Sequence, residues 1–82
     1  MGTKKVKILY YAILREQTRQ NEEIWETGAS TALELYEELK KKYSFSMSKD
    51  RLRVAINNSF CDWQTPIKTS DEIIFIPPVA GG

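Results

Sequence analysis

Val6-Lys7-Ile8-Leu9-Tyr10-Tyr11 is a β-prone run in which Lys7 marks the wet side. Alternation then points Val6, Ile8 and Tyr10 inward and leaves Leu9 and Tyr11 on the outer face with Lys7. Ala12 to Gln17 can close a helical turn, with Arg15 and Glu16 exposed. Asn21 to Glu26, centred on Ile24 and Trp25, reads as a second strand. No Asn-Gly or Asp-Gly pair joins these two strands, so a longer loop is expected between them rather than a tight hairpin.

After the turn at Thr27-Gly28-Ala29-Ser30 the period changes from two to 3.6. Ala32, Leu35, Tyr36, Leu39 and Tyr43 form one apolar stripe, and Glu34, Glu37, Glu38 and Lys40-Lys41-Lys42 cover the opposite side. Thr31 followed three residues later by Glu34 matches a capping box and predicts the helix start. Acids early and bases late suit the helix dipole, which accounts for the one basic run. Ser44 to Arg51 is a polar loop around Phe45 and Met47.

Alternation returns in Leu52-Arg53-Val54-Ala55-Ile56, with Leu52, Val54 and Ile56 inward. Asn57-Asn58 can take the positive φ of a tight turn into Ser59-Phe60-Cys61-Asp62-Trp63. If Asp62 faces water, so does Phe60, while Cys61 and Trp63 turn inward. Thr65 to Asp71 is a long corner before Ile73-Ile74-Phe75-Ile76, an apolar run that reads as a buried strand. The order is strand, strand, helix, strand, strand, strand. One main helix on one face of a mixed sheet makes an α+β domain, with the first and last strands as a central parallel pair.

Charge and composition exclude several functions. The 82 residues suit one small domain, and the net charge of +1 offers no basic face for nucleic acid. The absence of histidine removes the usual general base and the commonest metal ligand. Cys61 is the only cysteine, so no intrachain disulfide forms and a reducing compartment is expected. It also reads as inward packing rather than a nucleophile. Asp71 and Glu72 are adjacent in an extended segment and point apart, so a turn role suits Asp71 better than acid–base chemistry. No run approaches a membrane span and no signal h-region is present, so a cytoplasmic protein without a membrane partner is expected.

Two features remain that composition does not explain. First, Leu9, Tyr11, Phe60, Ile74 and Ile76 are apolar, yet alternation places all five on the sheet face away from the helix. A contiguous exposed apolar patch marks a protein interface. A slip of phase in the last strand, where Ile73 and Phe75 are equally apolar, would undo it. Second, residues 1–76 are expected to form the domain and 77–82 a flexible tail, Pro77-Pro78-Val79-Ala80-Gly81-Gly82. The prolines stiffen the exit from the last strand. The two glycines have no side chain to clash, so such an end can thread a narrow channel.

In these residues the chain resembles the ubiquitin-like β-grasp sulfur carriers, and within them the molybdopterin synthase small subunits. The opening Ile8-Leu9-Tyr10-Tyr11-Ala12 with Leu14-Arg15-Glu16 is similar to that family's strand-then-Leu-Arg-Glu start. So is the close: Val54-Ala55-Ile56-Asn57, a Pro-Ile corner, Asp71-Glu72, an apolar strand and Pro-Pro-Val-x-Gly-Gly. Thiamine-pathway carriers share the Gly-Gly but usually lack Pro-Pro-Val. One departure is Ser70, where the family commonly has glycine, which bears on the geometry of that corner.

The resemblance implies a β-grasp fold and a carrier that is not an enzyme on its own. In the family an E1-like adenylating enzyme and ATP activate the terminal carboxylate, here Gly82, as an acyl-adenylate. A sulfur-donating enzyme then makes it a thiocarboxylate. The tail, here Pro77, Pro78, Val79, Ala80 and Gly81, enters the large synthase subunit. Sulfur passes there to a cyclic pterin precursor, building the dithiolene that holds molybdenum or tungsten. No cofactor or metal is expected on the carrier. Other readings are a thiamine-pathway carrier, a ubiquitin-like modifier of lysines, and a binding module without terminal chemistry.

Overall fold

The computed structural model describes residues 2–77. Five strands form one sheet: β1 (Lys4–Tyr10), β2 (Glu22–Thr27), β3 (Arg53–Ile56), β4 (Ser59–Cys61) and β5 (Glu72–Ile76). Their order across the sheet is β2-β1-β5-β3-β4. β1 and β5 are parallel and central, with Leu9 opposite Ile74 and Tyr10 opposite Phe75. The other pairings are antiparallel. The main helix, α2 (Ala32–Tyr43), packs its apolar stripe on one sheet face, and a short helix, α1 (Ala12–Thr18), lies in the β1–β2 connection. This is the ubiquitin-like β-grasp.

The inner face follows the alternation. Val6, Ile8, Tyr10, Val54, Ile73 and Phe75 are at most 1% exposed, so the last strand keeps the expected phase. Ala32, Leu35, Tyr36 and Leu39 of α2 are fully buried against them. An aromatic cluster closes this core: Phe75 stacks parallel to Trp63 with ring centroids 5.8 Å apart and meets Tyr36 at 5.1 Å. Such pairs add to the stabilisation from area burial alone.

Three local expectations need adjustment. The Thr31 hydroxyl accepts from Glu34 N–H at 3.2 Å, as a capping residue should, but Glu34 reaches back to Ser30 N–H at 2.9 Å rather than to Thr31. The fourth strand ends at Cys61, short of Trp63. There Asp62 accepts from Gln64 N–H at 2.9 Å, and this turn competes with the ladder. The corner it starts meets the head of α2, where Ala32 and Leu33 N–H donate to the carbonyls of Thr65 and Trp63 at 3.1 and 2.9 Å. The Ser44–Arg51 loop holds a single 3₁₀ turn, Lys49–Arg51.

Asn57 and Asn58 both take positive φ, 53° and 71°, as their turn requires. The Asn57 amide then bridges to β5: its Nδ2 donates to Asp71 Oδ1 and its Oδ1 accepts from Glu72 N–H, both at 2.9 Å. Asp71 also accepts from Lys68 N–H at 2.8 Å. Its carboxylate is therefore spent on the corner, the turn role expected for it.

Candidate functional site

The sheet register assembles the outer face. Leu9 is opposite Ile74, Ile74 opposite Ala55, and Ala55 opposite Phe60. These residues form one apolar row across four strands. Ala55 is only 5% exposed although it lies on the outer face, because a methyl group between larger cross-strand neighbours is covered by them. Phe60 is 59% exposed and Tyr11, just past β1, is 46% exposed. Leu9, Ile74 and Ile76 are half-buried.

Ile76 ends β5 opposite Arg53, so the row runs to the end of the sheet from which the chain leaves for its last residues. Pro77 is half-buried there. A groove of about 360 Å³ lies at this point, its apolar lining supplied by Leu52, Phe60, Ile76 and Pro77. Pro78, Val79, Ala80, Gly81 and Gly82, the other proposed tail residues, lie outside the described residues.

Two residues on this face lie outside the expected patch. Ile24 is 66% exposed on β2 beside Lys7. Its phase opposite to Trp25 carries the signal that would place it outward. Arg53 is polar, and nothing local in the sequence joins it to Phe60. Yet its guanidinium lies over the Phe60 ring, 4.3 Å from the centroid.

The chemistry available elsewhere is structural. Cys61 Sγ sits 3.8 Å from the Val54 carbonyl oxygen and packs against the core. Glu23 points inward and accepts from the hydroxyls of Tyr10 and Tyr43, at 2.5 and 2.8 Å. Burial, reinforced by that carboxylate, pushes the Tyr10 phenol well above its ordinary range, and Tyr43 is raised for the same reasons. Neither phenol can serve as a base at neutral pH. Among the described residues no cluster of acidic, histidine or cysteine side chains is placed to hold a metal ion. No helix among them is long and apolar enough to cross a membrane. What the described residues offer is an exposed apolar row and an apolar groove at the end of β5.

The family model that matches is that of the ThiS family, over residues 8–82. The chain is 32% identical to the molybdopterin synthase sulfur carrier subunit of Haemophilus influenzae over 80 residues, covering 94% of this chain and 99% of that protein. Its fold is similar to a putative molybdopterin converting factor, subunit 1, from Pyrococcus furiosus. That comparison has a TM-score of 0.75 at 28% identity and covers 93% of this chain and 99% of the other. It is also similar to the small archaeal modifier protein 1 of Methanosarcina acetivorans, with a TM-score of 0.78 at 24% identity over the full length of both chains.

Proposed function

The chain belongs to the ThiS family, and from that premise we propose that it is the sulfur carrier of a molybdopterin synthase, the small subunit of a two-part sulfurtransferase. The observation that carries this reading is the continuous apolar row from Leu9 through Ile74 and Ala55 to Phe60, which ends beside Ile76 and Pro77 where the tail begins. A partner that buries this row receives the tail at a fixed place and direction.

The chemistry belongs to the terminus. A carboxylate with a pKa of about 3.5 is ionised at neutral pH and is a poor electrophile. An adenylating enzyme joins it to AMP from ATP and releases pyrophosphate. A sulfur-donating enzyme then displaces AMP, leaving a thiocarboxylate on Gly82. In the large subunit this sulfur attacks the pterin precursor, and hydrolysis returns the carboxylate. Gly81 supplies clearance and the two prolines stiffen the approach. The domain supplies no acid, base or metal to any of these steps.

Intact-mass analysis tests the proposal. The chain is incubated with ATP, the adenylating enzyme and a sulfur donor from the same cell. A mass gain matching one oxygen-to-sulfur exchange at Gly82, reversed by the large subunit with precursor, is the expected result. A ladder of lysine adducts instead would make the chain a protein modifier. An unchanged terminus would make it a binding module.

A further inference from the structure

The groove at the end of β5 is lined by two arginines and one acid. Arg51 and Arg53 line it, and both are exposed. Asp50 lines it too, and its carboxylate is paired with Lys49 at 2.9 Å. Asp62, the next acid along the chain, is committed to the turn after β4. Among the described residues neither arginine has a carboxylate within ion-pair distance, whereas Lys7 and Lys49 each do. Two arginines without a carboxylate partner, against one acid already paired with Lys49, thus line an apolar groove in a chain whose net charge is only +1.

The arginines are also differently held. The Arg53 guanidinium carbon lies over the Phe60 ring, 4.3 Å from its centroid, so the group is held beside the outer face before any partner arrives. Stacking on a ring leaves the edge N–H groups of the fork available to a carboxylate. Arg51, on the 3₁₀ turn, has no such support.

Resting on the carrier reading, we propose that the groove receives an apolar side chain of the large synthase subunit flanked by carboxylates, which pair with Arg51 and Arg53. Phe60, Ile76 and Pro77 supply the apolar contact. The two arginines steer the approach and fix the direction in which the tail enters. Exposed rim charges of this kind act chiefly on the association rate and its salt dependence, while the apolar contact sets dissociation.

The test measures association and dissociation rates of the full chain with the large subunit, between about 0.05 and 0.5 M salt, where screening tightens severalfold. Wild-type association should fall about tenfold or more across that range. The R51E/R53E double variant should start about tenfold slower and be nearly flat with salt, with dissociation little changed. R53K keeps the charge but loses the guanidinium held over Phe60; it should associate at the wild-type rate with the wild-type salt slope. R51Q/R53Q, with an intermediate effect expected, guards against misfolding of the double reversal, and thermal melts of each variant check the fold.

Double variants with wild-type rate and salt slope would overturn the proposal while leaving the carrier reading intact. So would a defect confined to dissociation at every salt concentration. A wild-type chain that fails to bind the large subunit at all, yet binds a short RNA with the same salt slope, would overturn both.

Discussion

The backbone N–H of Ser70 donates to the carbonyl oxygen of Lys5 at 2.8 Å, and Ser70 holds a φ of 72° where it does so. The bond ties the corner before β5 to the start of β1, the strand beside which β5 is laid. A side chain in this left-handed region crowds its own carbonyl, at a cost of about 1–2 kcal/mol that glycine avoids. Glycine gives back part of this through its larger entropy in the unfolded chain. Ser70→Gly should therefore stabilise the domain by about 0.5–1 kcal/mol. A urea titration measures it, and an unchanged or lowered midpoint would contradict the strain argument.

The Asn57 clamp should behave in the opposite sense. Asn57→Gly keeps the positive φ but removes two hydrogen bonds to Asp71 and Glu72. A cost of about 1–3 kcal/mol is expected for the pair. Asn57→Ala loses the same bonds and adds left-handed strain, so it should be worse by about 1 kcal/mol. Denaturant melts of the two variants side by side separate the hydrogen-bond contribution from the backbone one.

Much of this was legible in the sequence because it depends on neighbours along the chain. The alternation of β1 and β5, the stripe of α2, the Thr31 cap and the Asn57-Asn58 turn are all local. The central parallel pair followed from the element order. What local pattern could not supply was register. Arg53 and Phe60 meet only because a two-residue turn sets β3 against β4 so that Ala55 faces Phe60. The same holds for the inward Glu23. Its alternation phase with Trp25 places it on the core side, but its acceptability there depends on the hydroxyls of Tyr10 and Tyr43, which come from β1 and the end of α2. Ser70 stood out as a departure from glycine, and its positive φ explains why glycine suits that position.

Alkaline pH should unfold the domain through its buried phenols. Tyr36 is fully buried, and burial, with a smaller contribution from Glu37, pushes its phenol from 10 up to about 12. The fold thus favours the protonated form. The contribution is fully present below pH 10, where both states hold the proton, and is lost as pH rises through about 12. At about 1.4 kcal/mol for each pH step, the loss from this residue reaches about 3 kcal/mol. Tyr10, raised further, adds to the same trend. Tyr36→Phe should flatten the decline while costing about 1 kcal/mol at neutral pH, since it removes the 2.6 Å bond from the hydroxyl to the Met47 carbonyl. Stability curves at stepped pH check both parts; equal slopes in variant and wild type would refute the assignment.

Phe60→Ala separates docking from folding. The ring is 59% exposed in the isolated domain, so more than half of its surface remains to be buried by a partner. Full burial of such a side chain is worth about 1.5–3 kcal/mol, which leaves about 1–2 kcal/mol for the complex. That is roughly a five- to thirtyfold loss of affinity. The fold should change by less than 1 kcal/mol, because the variant removes only an exposed ring and its contact with Arg53. If the adenylating enzyme and the large subunit both bury this face, both affinities should fall, and each protein should displace the other from the wild-type carrier. Deleting Gly82 provides the contrasting case, with near-normal docking but no thiocarboxylate and no sulfur delivered. Titrations of both variants against both partners, run beside a single-turnover sulfur-transfer assay, decide the matter. Normal binding by Phe60→Ala would remove Phe60 from the interface, and sulfur transfer by the deletion would remove Gly82 from the chemistry.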